Sequence, residues 1–319
     1  MFVPIENLIS EDHPYRKLLS LINFDDLTRS LERLYKKAIG RTGYSISQGF
    51  RALLLQYLED LSDRELERYL QENLAGKYFC GFDLEDNTPD FSYFSKLRSR
   101  IGTKRLATLF NAVRDGLKAQ GLVKEIFTFV DSSHLISKFS MWDDRDKAIK
   151  KGLEKLNNET VRKVARDKQA KFGCKGKDKY WFGYKQHVSV DMQSGLINKI
   201  AATPANVTDA EGLKHICPNQ GAAYADKGYC VKKARQTMER KGCHDAAIRK
   251  NNMKDKNRDK DRWISSIRAP YERIFSKLSH RARYRGIAKI QFQLMMDALA
   301  FNLKRMITIN APPLNLSAI

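Results

Sequence analysis

The sequence predicts an α/β fold: a mixed sheet flanked by helices, preceded by an all-α N-terminal domain of residues 1–120. Two observations carry this prediction. The first 120 residues combine apolar residues at helical spacing with repeated helix-start signals. Residues 121–319 instead alternate short apolar runs with amphipathic and polar segments, which is typical of sheets covered by helices.

The N-terminal domain contains clear helix-start signals. Ser62, Asp63, Arg64 and Glu65 form a capping box, which predicts a helix over about 63–71. Short helices separated by tight turns resemble a helix-turn-helix arrangement, which would place one helix in a DNA groove. A helical dimerisation or packing domain is the alternative.

The next helix of this domain is expected to begin near Thr88. Thr88 is a suitable cap, Pro89 suits the first helical position, and Gly102 is suited to ending the helix. Another helix is predicted over about 103–119. The helix between Pro89 and Gly102 carries basic residues around an apolar side, and these are candidate DNA contacts: Lys96, Arg98 and Arg100.

The second domain, residues 121–319, is organised around the run Ile126–Asp131. This run is mostly apolar and β-forming, and it ends in a single carboxylate, so it predicts a strand buried on both faces with Asp131 at its C-terminal end. Ligands and catalytic groups of open α/β sheets lie at the C-terminal ends of strands. Asp131 is therefore a candidate catalytic residue.

The elements after this strand follow from their residue patterns. A basic insert of about 137–180 ends in a glycine- and lysine-rich stretch, 171–179, which is expected to be a mobile loop that contacts phosphate groups. A hairpin and a second capping box, Thr208–Glu211, follow. The further predictions are strands at 183–191, 196–202, 222–226 and 246–248, helices near 230–241, 270–280 and 287–307, and a basic linker at 249–262.

The net charge of +21 is distributed unevenly. Residues 1–120 carry 18 Lys and Arg against 17 Asp and Glu, whereas residues 121–319 carry 40 against 20. Such a field attracts a polyanion, and a nucleic acid is favoured over a solvated basic surface or an anionic membrane. No apolar run approaches the ~20 residues that cross a bilayer, and no secretion signal is evident at the N-terminus. The five scattered cysteines indicate reduced thiols and a cytoplasmic protein.

Two further acids can be placed beside Asp131. Asp226 ends the apolar run 222–225, and Glu272 lies at the border of an apolar helical stripe. If the strands that end in Asp131 and Asp226 are parallel neighbours, their carboxylates lie close together and repel unless a cation separates them. Mg²⁺ and Mn²⁺ prefer such oxygen ligands. We therefore expect these three acids to hold metal ions, although Glu272 could instead be a first-turn acid favoured by the helix dipole.

Several blocks of the sequence resemble insertion-sequence DDE transposases of bacteria, in particular the group numbered five, with an InsH-like N-terminal domain. The blocks occur in the family's order and cover nearly the whole chain. They are Tyr57–Glu67, Asp86–Asp90, Val130–Ser133, Tyr180–His187, Val190–Asp191 with Ser194–Ile197, Thr203–Asp209, Tyr224–Tyr229, Arg268–Phe275 and Arg283–Gly286.

The resemblance implies an RNase H-like catalytic fold and carries the family's D-D-E triad onto Asp131, Asp226 and Glu272. It also implies two Mg²⁺ or Mn²⁺ ions, a DNA substrate with terminal inverted repeats, and a nucleoid-associated homodimer on that DNA. Around the glutamate, the family pattern is Tyr-x2-Arg-x3-Glu-x6-Lys. Arg268 fits this pattern, but serines stand at the tyrosine and lysine positions, so Lys277 or Arg281 would replace the lysine.

The predicted function is that of a transposase that cleaves DNA at the ends of an insertion sequence and transfers the freed strand into target DNA. An RNase H-like nuclease without strand transfer and an inactive, transposase-derived DNA-binding protein are the alternatives. In addition to the three basic residues of the N-terminal domain, the expected DNA contacts are Lys175, Lys177, Lys179, Lys185, Arg268, Lys277 and Arg281.

Overall fold

The computed structural model describes residues 4–34, 43–138, 165–175 and 179–316, with the side chain of Lys179 excepted. The chain divides into two compact units. One comprises Met1–Leu122 together with Leu299–Ile319, and the other comprises Val123–Ala298. No helix among these described residues is long and apolar enough to cross a membrane.

The described part of the first unit is built from helices. The α-helices are α1 (Pro14–Leu21), α2 (Phe24–Thr28), α3 (Ile46–Leu58), α4 (Asp63–Glu72), α5 (Leu74–Cys80) and α6 (Phe91–Ala119), and 3₁₀ helices span Ile5–Leu8 and Arg29–Leu34. Helix α3 lies at the centre, because almost every side chain along it is buried, including Phe50, Leu53 and Leu54. Phe79 of α5 and Phe94 of α6 are also fully buried and belong to the same helical core.

The helix caps of this unit agree with the sequence predictions in part. Ser62 and Glu65 form the predicted capping box at the start of α4. The predicted cap at Thr88 is wrong: α6 begins one residue after Asp90, whose carboxylate accepts hydrogen bonds from the backbone N–H groups of Ser92 and Tyr93. A carboxylate is a stronger cap than a threonine hydroxyl beside an N-terminal helix dipole. Gly102 interrupts α6 with a φ of 65°, close to the predicted boundary.

The second unit contains a six-stranded mixed sheet and the remaining helices. Its strands are β1 (Phe127–Ile136), β2 (Lys171–Lys175), β3 (Lys179–Asp191), β4 (Ile197–Pro204), β5 (Ala222–Ala225) and β6 (His244–Ala247). The helices are α7 (Asp209–Ile216), α8 (Lys232–Arg240), α9 (Arg258–Glu272) and α10 (Ile287–Thr308), the last of which continues into the first unit, and 3₁₀ helices span Lys227–Tyr229 and Arg273–Lys277.

The sheet has the order β2-β3-β1-β5-β6, and β4 also pairs with β3. Strand β1 is antiparallel to β3 and parallel to β5, and β5 is parallel to β6. Helices cover both faces. Val130, Ala223 and Ala225 pack in one core cluster with buried residues of α7 and α8, whereas Tyr224 and Ala246 pack with Ile264 of α9. The fold is therefore the predicted α/β class, a mixed sheet flanked by helices.

Strand β1 is longer than predicted. It continues past Asp131 to Ile136, because β3 offers an antiparallel partner along this whole length, from Thr128 opposite Asp191 to Ile136 opposite Gly183. Asp131 consequently lies within the strand and not at its end. The polar residues after Asp131 suggested a strand end, but hydrogen bonds to a long neighbouring strand outweigh weak local β-propensity.

The basic insert and the basic linker also differ from their predicted forms. Residues 171–175, expected to be part of a mobile loop, form strand β2, which pairs with the first residues of β3. The rest of that loop, 176–178, and most of the insert, 139–164, lie outside the described residues.

Helix α9 begins at Arg258, inside the predicted linker, and ends at Glu272, where a helix over 270–280 was expected to be starting. Pro270 therefore lies in the last turn of this helix. The missed signal was Asn257, whose side chain caps α9 ahead of two acids in the first turn. The charged residues 249–262 lack an apolar period, which concealed the helix.

Candidate active site

The sheet brings Asp131 and Asp226 to the same place. Phe129 of β1 is paired with Tyr224 of β5, and the same two-residue step past this pair leads to Asp131 and to Asp226. Strand β5 ends at Ala225, and Asp226 caps the 3₁₀ helix that follows, where its carboxylate accepts a hydrogen bond of 2.8 Å from the backbone N–H of Gly228. The edge where the parallel pairing stops therefore carries both acids.

The electrostatics of Asp131 reflect this proximity. Burial, followed by the negative charge of Asp226, raises the pKa of Asp131 to about 7, although the Arg268 guanidinium opposes the rise. A carboxyl group in this environment is readily protonated, and a nearby cation would stabilise its charged form. The backbone N–H of Ser132 donates to Asp131 Oδ1 at 2.7 Å.

Helix α9 contributes Arg268 and Glu272 through a stripe of period four. Ile264 is buried against the sheet, Arg268 lies one turn later and is only 3% exposed, and Glu272 lies one turn further on with 56% of its side chain exposed. The Arg268 guanidinium contacts Asp131 Oδ2 at 3.2 Å and Glu272 Oε1 at 3.9 Å. It thereby links the first and third predicted acids.

Arg268 is held on its other side by an aromatic ring. Its guanidinium carbon lies 5.3 Å from the centre of the Phe129 ring, a distance at which a cation is attracted to the ring face. Its Nε atom is buried and has no hydrogen-bond partner among the described residues. Arg268, predicted as a DNA contact, is thus mainly engaged with the two acids.

The donor set fits a hard divalent cation only in part. Asp131 and Asp226 offer carboxylate oxygens whose mutual repulsion a cation would relieve, and such oxygens are the preferred ligands of Mg²⁺ and Mn²⁺. Glu272 is directed to Arg268 instead. Within the part of the chain that is described, no group of three or more His, Cys, Asp or Glu side chains is arranged to hold a metal ion.

Residues that the sequence did not predict for this site also lie beside it. Asp209, the first residue of α7, accepts hydrogen bonds from Ser132 and Lys185, and the buried Tyr229 lies close enough to the three aspartates for their charges to raise its pKa, after the larger effect of burial. In the sequence, Asp209 is already explained as part of the Thr208 capping box, which the structure confirms. No local signal distinguished it from an ordinary first-turn acid.

The other predicted DNA contacts lie in several settings. Lys175, Lys277 and Arg281 are exposed, and Lys185 is mostly buried beside Asp209. Lys177 and the side chain of Lys179 fall outside the described residues. In the helical unit, Lys96 and Arg100 are exposed, whereas Arg98 forms an ion pair with Asp63 at 2.5 Å.

Two family models match the chain. A model described as a transposase domain (DUF772) matches residues 3–100, and a model described as a transposase DDE domain matches residues 156–303. The second match contains Asp226 and Glu272 and begins after Asp131. No solved structure matches the chain significantly.

The two matches follow one another along the chain and together cover most of it. The transposase DDE domain is RNase H-like, in agreement with the mixed sheet flanked by helices. The chain therefore belongs to the insertion-sequence DDE transposases.

Proposed function

We propose that this transposase cleaves DNA at the ends of its insertion sequence and joins the freed 3′-hydroxyl to target DNA, with Asp131, Asp226 and Glu272 as the catalytic acids. The observation that supports this most is the convergence of Asp131 and Asp226 at one edge of the sheet, with Glu272 linked to Asp131 through Arg268. Asp131 and Asp226 come from segments far apart in the sequence, and a shared chemical role would explain why they lie together.

Divalent metal ions, two Mg²⁺ or Mn²⁺, are part of the proposal. Asp131 and Asp226 would hold them. Glu272 would leave its contact with Arg268 and become a further ligand. When bound, such ions activate a water or a 3′-hydroxyl and stabilise the leaving oxygen in phosphoryl transfer. Before metal binds, Arg268 orients Asp131 and partly neutralises the negative charge of the acids.

The chain's own basic residues are proposed to bind the DNA backbone. Residues 121–319 carry 40 Lys and Arg against 20 Asp and Glu, and this excess supports binding of a polyanion around the acids. Lys277 and Arg281, which are exposed and follow Glu272, are the proposed phosphate contacts closest to it in sequence. We further propose that residues 1–120 recognise the terminal inverted repeats and that the protein acts as a homodimer. Its proposed location is the cytoplasm, in association with the nucleoid.

The test uses the purified full-length chain, labelled DNA with the element's own ends, and Mg²⁺ or Mn²⁺. We expect nicks at the element end and joined products, and we expect Asp131→Asn and Glu272→Gln to reduce both by roughly a hundredfold or more. Glu211→Gln removes an exposed acid of α7 that is paired with Lys233, and it is the matched control that retains activity.

The products distinguish the proposal from its alternatives. Joined DNA that is lost in both variants supports a transposase with these acids at its centre. Cleavage without joining would favour an RNase H-like nuclease. Tight DNA binding with neither product would indicate an inactive, DNA-binding descendant of a transposase, and the catalytic proposal would then be wrong for this chain.

A further inference from the structure

Asp209 is joined to the candidate active site by a continuous set of hydrogen bonds. Its Oδ1 atom accepts from the Ser132 hydroxyl at 2.7 Å and from the Lys185 ammonium at 2.8 Å. The backbone N–H of the same Ser132 donates to Asp131 Oδ1 at 2.7 Å. Asp209 therefore restrains the strand segment that presents Asp131, although the two acids are 78 positions apart in the sequence.

The second oxygen of Asp209 lies beside Gly228, as does a carboxylate oxygen of Asp226. A Cβ atom placed on Gly228 would lie 3.4 Å from Asp209 Oδ2 and 3.0 Å from Asp226 Oδ1, so the two carboxylates border the same small gap. The absence of a side chain at Gly228 leaves this gap open. Asp209 is thus adjacent to both aspartates that are proposed to hold a cation.

The pair formed by Asp209 and Lys185 is poorly solvated. Only 28% of the Asp209 side chain and 13% of the Lys185 side chain are exposed. Burial acts to raise the pKa of Asp209, but the hydrogen bond and charge of Lys185, together with the Ser132 hydroxyl, hold that pKa below its ordinary value. Asp209 is accordingly a charged carboxylate in a site where charges are weakly screened.

The acids of this site exceed its cations. Asp131, Asp209, Asp226 and Glu272 supply four carboxylates, whereas Arg268 and Lys185 are the two cations bonded to them among the described residues. Arg268 is shared by Asp131 and Glu272, and Lys185 is bonded to Asp209.

We propose that Asp209 is a positioning residue of the active site, and that its pair with Lys185 sets how tightly Asp131 and Asp226 hold a divalent cation. The inference rests on the proposed function, because it concerns the cation of that site. Asp209 holds the Lys185 ammonium at a fixed place and cancels its charge. It also orients Ser132, whose backbone N–H holds Asp131.

The two partners of this pair have opposite predicted effects. Asp209→Asn preserves an acceptor for Ser132 but leaves the Lys185 charge uncompensated beside the acids, which weakens cation binding. Lys185→Met preserves the length of the side chain but leaves the Asp209 charge uncompensated, which strengthens cation binding. Combining the two substitutions removes both charges and restores the balance. A purely structural role predicts instead that both substitutions impair the site.

The experiment measures Mn²⁺ binding to the full-length chain by electron paramagnetic resonance, without DNA and at fixed pH and ionic strength. We expect Asp209→Asn to raise the apparent Kd roughly tenfold, Lys185→Met to lower it by a similar factor, and the double variant to lie near the wild type. Glu211→Gln and Lys233→Met are the matched controls. Glu211 lies on the same helix as Asp209, and its ion pair with Lys233 is well exposed. Neither control is expected to change Mn²⁺ binding.

The outcomes separate this inference from the proposed function. If the wild type binds Mn²⁺ but Asp209→Asn and Lys185→Met change the apparent Kd in the same direction, or neither changes it, the inference alone is overturned. A wild type whose Mn²⁺ binding is absent or insensitive to Asp131→Asn would overturn both. Thermal unfolding of each variant verifies that it is folded. If Asp209→Asn does not fold, Lys185→Met alone decides: a lower apparent Kd for Mn²⁺ supports the inference, and an unchanged or higher one overturns it.

Discussion

At the scale of single residues, Arg268 is the side chain on which the arrangement of the acids most depends. It is almost fully buried, it contacts Asp131 and Glu272, and it lies over the Phe129 ring. A buried charge is tolerated only where opposite charges and hydrogen bonds compensate it. Arg268 therefore has a structural role that is independent of any contact with DNA.

Replacing Arg268 tests this role by a measurement of stability. Arg268→Met should lower the free energy of unfolding by about 3–5 kcal/mol, because it leaves Asp131 buried beside Asp226 without its guanidinium partner. Urea denaturation followed by circular dichroism provides the measurement. Arg262→Met on the same helix is the control. Arg262 pairs with Asp259, and their side chains are 82% and 90% exposed, so the free energy of unfolding should fall by less than about 1 kcal/mol. Equal losses in the two variants would show that Arg268 has no special structural role.

At the scale of elements, the close approach of α7 to β3 sets where Asp209 lies. Gly212 of α7 faces His187 of β3, and a Cβ atom on Gly212 would lie 2.1 Å from the imidazole Cε1 atom. His187 is fully buried, and its Nε2 atom is hydrogen-bonded to the Thr203 hydroxyl at 2.8 Å, so the ring cannot move aside easily. A glycine at this position lets the helix lie directly on the strand.

We expect Gly212→Ala to destabilise the protein by about 1–3 kcal/mol, although alanine is the better helix former by about 1 kcal/mol. The overlap with the His187 ring exceeds the gain in helix propensity, and the melting temperature should fall. Differential scanning calorimetry measures the change. Gly43→Ala, where a Cβ atom would meet nothing within 4 Å, should leave the melting temperature nearly unchanged. An unchanged or raised melting temperature for Gly212→Ala would mean that α7 is free to shift.

The same scale shows how far local sequence patterns predicted the elements. The capping boxes at Ser62 and Thr208 were predicted correctly, because the bonds that form them span only three residues. The length of β1 and the start of α9 were not. Strand β1 extends to Ile136 because β3 pairs with it, and the start of α9 at Arg258 lies in a segment without an apolar period.

At the scale of the whole molecule, the distribution of charge is the property most relevant to DNA. Residues 121–319 contain nearly all of the net charge of +21, and the acids of the candidate site are in the same part of the chain. Phosphate contacts release condensed counterions from DNA, so binding through such residues weakens steeply with salt. The salt dependence of binding therefore reports how many basic residues take part.

Lys277→Ala and Arg281→Ala, combined, should reduce the magnitude of the slope of log Kobs against log[NaCl] by about 1.8, since each phosphate contact contributes about 0.9. Fluorescence anisotropy with labelled DNA ends measures the slope. The charge-preserving pair Lys277→Arg and Arg281→Lys should keep the wild-type slope. If the alanine variant keeps it as well, these two residues do not contact the DNA backbone.

The sequence alone determined the fold class, the family, the concentration of positive charge in residues 121–319 and the helix caps formed within a few residues. It also singled out Asp131, Asp226 and Glu272 as candidates. Only the tertiary structure decided that Asp131 lies inside a strand, that Arg268 links it to Glu272, and that Asp209 reaches it through Ser132. The reason is physical: periodicity and capping are encoded in neighbouring residues, whereas strand register and the meeting of distant charges depend on pairing and packing across the whole sheet.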